Sequence, residues 1–265
     1  MEIVIIGVGN MGGAVLSGLL KAGHAPESVT AVVRREERAA EIASTYGVRS
    51  LPAEAAVAAA DVVVLGVKPY GVVPVLESVK DSLRPGTLVV SLAAGITTAQ
   101  MEAAVPDGVD VVRVMPNTPA LIGQGMSVLA AGAHCRAEAL ATAEELMGAV
   151  GEVVTVPESS VDAAGALSGS GPAYVFLVAE ALIEAGVHLG LTRADATTLV
   201  TQTLVGSSQL LADTGTHPAL LREQVTSPGG TTAASLRVFE ERGLRAAFLE
   251  ATRANRDRSR ELAAD

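Results

Sequence analysis

The sequence predicts an α/β protein in two domains, a mixed domain followed by an all-α domain. Short Val- and Ile-rich runs alternate with Ala- and Glu-rich stretches over the first 157 residues, which is typical of β-α units around a parallel sheet buried on both faces. A glycine-rich turn directly follows the first of these runs. After Pro157 the pattern is helical and no strand pattern recurs. We therefore place the domain boundary there, which gives domains of residues 1–157 and 158–265.

In the first domain, a strand is expected wherever a short Val/Ile-rich run stands between turn residues. These runs occupy residues 2–6, 29–33, 61–67, 87–92, 110–114, 126–131 and 152–156. Helices are expected in the stretches between them, at residues 10–22, 36–46, 97–105 and 136–150. In the second domain, turn residues at 168–172, 190, 216–218 and 227–230 separate the helices. No repeat or low-complexity linker joins the two domains, so we expect them to pack closely.

Composition and charge exclude several classes of function. The 265 residues are 49% hydrophobic and 2% aromatic, and 19 basic against 29 acidic residues leave a formal net charge of −10. Such a surface has no general attraction for nucleic acid or anionic membranes. The single Cys135 excludes an internal disulfide framework and an all-Cys metal site, which fits a reducing compartment. The four histidines are scattered without metal-ligand spacing, so we expect no metal.

The sequence also carries predictions about location. The most apolar long stretch, residues 172–191, is interrupted by Glu180 and Glu184, so we interpret it as a buried helix and not as a membrane span. Met1 and Glu2 lead directly into an apolar run, without the basic segment that opens a signal peptide. We therefore expect a soluble, cytoplasmic protein.

The glycine-rich turn at residues 7–13 stands in the context of a phosphate-binding loop. Gly7 permits a tight turn, Gly9 lets the backbone approach a pyrophosphate, and Gly12 lets the following helix lie close to the strand. The N–H groups and the positive end of that helix would face the phosphates. A glycine turn without a ligand is the alternative. The register of strand, turn, helix and next β unit favours a Rossmann-type dinucleotide-binding domain.

The residue after the second strand indicates which dinucleotide binds. An NAD-selective site would carry Asp or Glu there to hold the ribose 2′-hydroxyl. This chain has Arg34, followed by Arg35, and a guanidinium suits a 2′-phosphate. We therefore expect NADPH as the cofactor, with NADH as the second choice. Alternatively, both arginines pair with Glu36, Glu37 and Glu41 on a solvated helix.

Four further segments indicate a more specific function than dinucleotide binding. They read Gly-Val-Lys-Pro at 66–69, Arg-Val-Met-Pro-Asn-Thr-Pro-Ala at 113–120, Leu-Ser-Gly-Ser-Gly-Pro-Ala-Tyr at 167–174 and Val-Thr-Ser-Pro-Gly-Gly-Thr-Thr at 225–232. In this order and spacing they resemble the pyrroline-5-carboxylate reductase family, whose members make proline from a cyclic imine. The resemblance runs essentially along the whole chain, and the segment 225–232 is its most specific motif.

The resemblance implies a Rossmann-type NADPH domain followed by an all-α dimerisation domain, and the reduction of 1-pyrroline-5-carboxylate to L-proline, the last step of proline biosynthesis. It implies a homodimer that can assemble into a decamer, with the active site between the cofactor domain and the helical domain of the dimer. On matching positions, cofactor contacts would come from Gly7, Val8, Gly9, Asn10, Met11, Gly12, Arg34, Gly66, Val67, Lys68, Pro69, Leu92, Ala93 and Ala94. Substrate contacts would come from Glu158, Ser227, Gly230, Thr231 and Thr232.

Two positions depart from the family pattern. Ala53 stands where the family often has an Asn near the cofactor ribose, and Gln224 stands where an Asn is common. These departures bear on cofactor affinity and not on the reaction.

The residues of segment 227–232 can also be interpreted chemically. A glycine-rich turn that leads into a helix offers backbone N–H groups to a carboxylate, and the hydroxyls of Ser227 and Thr232 can add hydrogen bonds. Alternatively, Ser227 caps the helix and Pro228 takes its first position. Reduction of a C=N bond needs a hydride at carbon and a proton at nitrogen, and a hydroxyl can orient an imine that is already protonated. Thr232 is therefore the expected catalytic residue.

Other functions share some of these features. A β-hydroxyacid dehydrogenase also opens with Gly-x-Gly-x-Met-Gly, but it takes its proton-transfer residue from a Lys of the helical domain, and no Lys follows Lys80 here. A reductase of a different cyclic imine would use the same loops. A non-catalytic NADPH-sensing module would bind the cofactor without turnover, and the hydroxyl-bearing segment 227–232 argues against it. Lys68 either borders the cofactor or is a surface residue.

Overall fold

The structure is a computed structural model that describes residues 1–264, so the last residue of the predicted 158–265 domain lies outside it. By packing, the chain forms two units. The sheet unit holds residues 1–170 and the end of the chain from Asn255, and the helical unit is Gly171–Ala254. This division differs from the boundary predicted after residue 157, because residues 158–170 and the end of the last helix pack with the sheet.

An eight-stranded sheet forms the centre of the sheet unit. Its strands are β1 (Ile3–Ile6), β2 (Val29–Val32), β3 (Arg49–Ser50), β4 (Val62–Leu65), β5 (Leu88–Ser91), β6 (Asp110–Met115), β7 (Gly125–Ala131) and β8 (Gly151–Thr155). They lie in the spatial order β3-β2-β1-β4-β5-β6-β7-β8. The order reverses between β1 and β4, and such a reversal is where doubly wound sheets bind their ligands.

One strand departs from the parallel sheet expected from the sequence. In this spatial order, the first six strands, from β3 at the edge to β6, are mutually parallel. The next strand, β7, pairs with β6 antiparallel, and β8 is parallel to β7. The link from β6 to β7 is short and contains a single 3₁₀ turn, Thr118–Ile122, whereas a parallel pair needs a crossover of about a dozen residues or more. At the edge, β8 is partly exposed, so the two-faced burial applies to the central strands.

Helices cover both faces of those central strands. On one face lie α1 (Asn10–Lys21), α2 (Glu36–Tyr46) and α6 (Ala137–Gly148), and on the other lie α3 (Ala53–Val57), α4 (Val72–Val79) and α5 (Thr98–Ala104). Alternate residues of β1 divide between the two cores, with Ile3 and Ile5 on one side and Val4 and Ile6 on the other. The short α7 (Val161–Leu167) follows β8.

The seven predicted strands and the four predicted helices of the first domain are all present, with ends that differ by one or two residues. Three elements were not predicted: the strand β3 and the helices α3 and α4. All three are short, and α4 has the Val-rich composition of a strand.

The helical unit consists of α8 (Gly171–His188), α9 (Arg193–Thr214), α10 (Pro218–Gln224), α11 (Thr231–Glu241) and the first part of α12 (Leu244–Ala264). As predicted, no strand follows β8 in the described part of the chain. Residues 158–188 are long and apolar enough to cross a membrane by length and composition alone, but only 6% of the apolar 18-residue window within them is buried. The burial expected for this helix is therefore absent in the single chain, where Phe176 is 66% exposed.

Candidate active site

The loops after four neighbouring parallel strands emerge side by side at one edge of the sheet. The last rungs of the ladder join β2 to β1, β1 to β4 and β4 to β5, through hydrogen bonds of 2.8–3.0 Å donated by the N–H groups of Gly7, Gly66 and Leu92. Parallel strands present their carboxyl ends at the same edge. The structure therefore brings together every predicted cofactor position: residues 7–12, Arg34, residues 66–69 and residues 92–94.

Three glycines touch at the centre of this edge. Gly7 has a φ of +90°, in the left-handed region that favours glycine. A Cβ on Gly12 would overlap the carbonyl oxygen of Gly7, and a Cβ on Gly66 would overlap the same oxygen. Gly12 therefore lets α1 lie close to β1, as predicted. Gly66, predicted as a cofactor contact, also has a packing reason to be glycine.

Beyond Gly7 the backbone is open where a pyrophosphate would lie. Gly9 is exposed, and a Cβ placed on it would meet no atom within 4 Å. Gly9 is also the N-cap of α1, and no side chain caps this helix. The N–H groups of the first turn have no partners within a helix, and they carry its positive end. These residues therefore fit the phosphates of a dinucleotide.

The arginines after β2 differ from the ion-paired alternative. Arg34 and Arg35 are exposed, and neither has a carboxylate within 4.0 Å among residues 1–264. The ion pair with Glu41 instead belongs to Arg38, at 2.6 Å, and the sequence pattern did not single out Arg38. Two guanidinium groups therefore remain available for an anion at the end of β2, which fits a ribose 2′-phosphate.

Not every predicted cofactor residue presents its side chain to a ligand. Val8, Leu92 and Ala93 are at most 8% exposed and belong to the apolar cores, so they can contact a cofactor only through their backbone. The remaining side chains are accessible: exposed in Asn10, Lys68, Pro69 and Ala94, and half-buried in Met11 and Val67.

A buried charge network joins β6 to the segment after β8. Arg113 is 3% exposed, and its Nη1 donates to Oε1 of Glu158 at 2.9 Å while Nη2 lies 3.5 Å from Asp162. The same Glu158 oxygen accepts the N–H of Thr98 at 3.3 Å. Glu158, predicted as a substrate contact, is thus held to the sheet by one oxygen. Its buried Oε2 has no hydrogen-bond partner in the described structure.

The side-chain amide of Asn117, in the segment 113–120, makes two hydrogen bonds. Its Oδ1 accepts the N–H of Met126 at 2.8 Å, and its Nδ2 donates to the carbonyl of Ser168 at 3.0 Å. One side chain therefore connects the start of β7 with the Ser-Gly-Ser-Gly segment. A cavity of about 550 Å³ lies in the same region of the sheet unit. Its lining includes Ala94, Met115, Pro116, Ser170, Asn255 and Arg258.

In the helical unit, the segment 227–232 forms a turn followed by a helix. The N–H of Gly230 donates to the carbonyl of Ser227 at 3.0 Å, and Gly229 has a φ of +68°. The N-cap of α11 is Gly230, without a side-chain cap, so the alternative in which Ser227 caps the helix and Pro228 begins it is wrong. The N–H groups of Thr231, Thr232 and Ala233 therefore have no partner within the helix. The Thr232 hydroxyl makes no hydrogen bond to any described residue.

Comparison with known proteins identifies the family. A family model for pyrroline-5-carboxylate reductase dimerisation matches residues 158–262, and a model described as NADP oxidoreductase, coenzyme F420-dependent, matches residues 2–95. A pyrroline-5-carboxylate reductase of Corynebacterium melassecola is 46% identical over 264 residues, covering 98% of each chain. The chain belongs to the pyrroline-5-carboxylate reductase family.

Solved structures of pyrroline-5-carboxylate reductases agree with this assignment. The enzyme of Coxiella burnetii superimposes with a TM-score of 0.95 at 38% identity, covering 98% of both chains. The Plasmodium falciparum enzyme, solved with NADP bound, gives a TM-score of 0.86 at 28% identity, covering 99% of this chain and 98% of that one.

Membership confirms the main functional predictions. The chain is an NAD(P)-dependent oxidoreductase of proline biosynthesis, built from a Rossmann-type domain and an all-α dimerisation domain. It acts on a small molecule and oligomerises through the helical domain. The large apolar side chains that α8 and α9 expose in the single chain lie in the matched dimerisation region.

Proposed function

We propose that this chain reduces 1-pyrroline-5-carboxylate to L-proline with a hydride from NADPH, and that the residues predicted from the sequence form the site. The observation that carries the proposal is the N-terminus of α11. There a glycine turn leaves three backbone N–H groups and the Thr232 hydroxyl without acceptors among the described residues. Such a group of donors suits a carboxylate next to a ring nitrogen.

The cofactor would lie along the carboxyl edge of the sheet. The first turn of α1 would hold the pyrophosphate, the backbone of residues 66–69 and 92–94 would line the rest of the cofactor, and Arg34 would contact the 2′-phosphate. When bound, the nicotinamide supplies the hydride. The exposure of Arg34 and Arg35, together with their lack of ion pairs among residues 1–264, supports NADPH over NADH.

The substrate would be held by its carboxylate and its ring nitrogen. The N–H groups of Thr231 and Thr232 would bind the carboxylate, with the Ser227 hydroxyl beside Gly230, where a Cβ on that glycine would overlap it. The Thr232 hydroxyl would hydrogen-bond the nitrogen of a protonated imine and orient its carbon for hydride transfer. Glu158, which Oε1 holds to Arg113 and Thr98, would lie beside the substrate. A neutral hydroxyl suffices because the proton arrives with the substrate.

We further propose a cytoplasmic homodimer, able to assemble into a decamer, that binds neither nucleic acid nor membranes. The excess of 29 acidic over 19 basic residues supports the proposal that the protein does not bind nucleic acid. The dimerisation match from residue 158 supports a partner chain as the cover for the apolar surface of α8, which removes the need for a lipid environment.

The test follows NADPH oxidation with three compounds: 1-pyrroline-5-carboxylate, a cyclic imine without a carboxylate, and a hydroxy acid in the reverse direction with NADP⁺. Turnover of the first alone supports the proposal. Equal turnover of the carboxylate-free imine would contradict the carboxylate site and favour a reductase of a different imine. Cofactor binding without turnover of any compound would favour a non-catalytic NADPH-binding module.

Variants at Thr232 and Arg34, with a control at Thr226, test the residue roles. Thr232→Val removes the hydroxyl at constant shape and should lower kcat by about 10- to 1,000-fold, whereas Thr232→Ser should keep most of the rate. Thr226→Val is the matched control, because that hydroxyl donates to the carbonyl of Arg222 and should not matter for turnover. Arg34→Asp should shift the preference toward NADH. Unchanged turnover in Thr232→Val would refute the catalytic assignment.

A further inference from the structure

Arg38 reaches from α2 back to the glycine loop. Its Nε and Nη2 both donate to the carbonyl oxygen of Val8, at 3.3 and 3.2 Å. Its Nη1 lies 2.6 Å from Oε2 of Glu41, one turn further along the helix. The guanidinium is therefore fixed on two sides, by a backbone carbonyl of the loop and by a carboxylate of its own helix. With 27% of its side chain exposed, Arg38 is better shielded from solvent than Glu41, at 61%.

The Val8 carbonyl matters because it belongs to the peptide that begins the phosphate loop. Among the described residues, no backbone N–H donates to this oxygen, so Arg38 is its partner. The peptide from Val8 to Gly9 is planar and trans, and its N–H therefore points opposite to its carbonyl. By holding the carbonyl, Arg38 directs the Gly9 N–H away from α2.

The loop needs such a restraint because glycine stands on either side of Val8. Gly7 and Gly9 carry no Cβ, so both can adopt backbone conformations closed to other residues. Without a hydrogen bond to the Val8 carbonyl, the peptide from Val8 to Gly9 could therefore change its orientation. The Val8 side chain is 5% exposed and anchors one side of the loop in the core. The bonds from Arg38 fix the other side.

We infer that Arg38 is a positioning residue for the dinucleotide. It pre-orders the Val8–Gly9 peptide for the pyrophosphate and does not read the 2′-phosphate, which stays with Arg34. The pyrophosphate is common to NADPH and NADH, so loss of the restraint weakens both cofactors by the same factor. A residue that contacts the 2′-phosphate would weaken NADPH alone. This inference rests on the proposed assignment of the glycine loop to the cofactor.

The experiment measures dissociation constants of NADPH and NADH by fluorescence titration, without substrate. Arg38→Met keeps the aliphatic stem and removes every donor, and we expect both constants to rise about 10-fold with their ratio unchanged. Arg38→Lys keeps one charged donor and should recover part of both affinities. Glu41→Gln is the matched control: it removes the ion pair but leaves the guanidinium on Val8, so both constants should change less than about 3-fold.

Three outcomes would overturn the inference: a loss confined to NADPH, which would make Arg38 a 2′-phosphate contact; unchanged constants for both cofactors in Arg38→Met; and Glu41→Gln weakening binding as much as Arg38→Met. If Arg38→Met does not fold, Arg38→Lys decides, with a rise of about 3-fold expected for both cofactors and an unchanged constant counting against the role. Failure of the unmodified chain to bind either cofactor would instead refute the assignment of the loop.

Discussion

The glycines of the phosphate loop differ in what surrounds each Cα. Gly12 lies against the backbone of Gly7, so its lack of a side chain serves packing, whereas Gly9 faces open space. The sequence spacing predicted both roles, because each position of the Gly-x-Gly-x-x-Gly pattern has a separate steric reason. The spacing could not predict the packing role of Gly66, since that contact depends on β4 lying next to β1.

Gly12→Ala should therefore affect mainly stability, and Gly9→Ala mainly cofactor binding. The first should reduce the free energy of unfolding by about 1–3 kcal/mol, because a Cβ would overlap the carbonyl of Gly7 and the backbone must shift. The second should change stability by less than about 1 kcal/mol but weaken NADPH about 10-fold or more, because its Cβ would occupy the space proposed for the pyrophosphate. Urea unfolding and fluorescence titration measure the two effects. Equal stabilities of the two variants would contradict this division.

Cys135 gives a prediction that depends on pH. Burial, with Asp110 and Glu102 nearby, raises the pKa of its thiol from 9.0 to about 11. At pH 8 about one thiol in a thousand is then ionised, so iodoacetamide should alkylate the native protein about 100-fold more slowly than the urea-unfolded chain. Liquid chromatography with mass spectrometry measures both rates.

The same pKa sets the sign of a stability effect. The unfolded thiol loses its proton at a lower pH than the folded one, so its contribution to stability is complete below pH 9 and is lost as the pH rises toward 11. Cys135→Ser lacks this titration and is the control, and it should lose less stability over that interval. For the alkylation experiment, a native protein that reacts with iodoacetamide as fast as the unfolded chain would show that the thiol is not shielded.

At the scale of elements, the predicted strands and helices depend on patterns that are long enough to see. A two-residue strand such as β3 shows no alternation, and α4 begins Val-Val-Pro-Val, which reads as extended by composition but is helical because its apolar side chains pack on the sheet. The direction of β7 depends on the length of one link. The sequence reveals that the link from β6 to β7 is short only if the ends of both strands are already known.

The side chain of Asn117 joins two separate segments of the sheet unit. Asn117→Ala would leave the N–H of Met126 and the carbonyl of Ser168 without this partner, and we expect a loss of about 1–3 kcal/mol in the free energy of unfolding. Gln124→Ala is the control: it lies in the same link, is exposed, and should stay within about 0.5 kcal/mol of the parent chain. Equal losses in the two variants would show that the bonds of Asn117 contribute nothing specific.

The whole molecule combines a unit with two cores and a unit without one. The described residues of the helical unit include a single buried residue, Ala196, while large apolar side chains of α8 and α9 are exposed. A single sequence identifies these side chains as apolar but not whether they face their own chain or a second copy. The helix at 172–191 was therefore expected in the interior, whereas none of its residues is buried in the single chain.

The helical unit should accordingly lose its structure when the dimer dissociates. Phe176 is 66% exposed in the single chain, and in a symmetric dimer a change at this position occurs twice. Phe176→Asp places two carboxylates in the apolar surface, and we expect the dimer dissociation constant to rise at least about 100-fold, since burying unpaired charge costs several kcal/mol. Sedimentation velocity over a dilution series measures the constant, and far-ultraviolet circular dichroism of the same samples should lose helix as monomer forms.

Ile122→Asp is the matched control for this prediction. Ile122 is 76% exposed but belongs to the sheet unit, outside the matched dimerisation region, so the same chemical change there should leave the dimer intact. Dissociation by Ile122→Asp and not by Phe176→Asp would place the contact between copies on the sheet unit. A Phe176→Asp monomer that keeps its full helix content would show that the helical unit folds without a partner, and that its exposed apolar side chains serve another purpose.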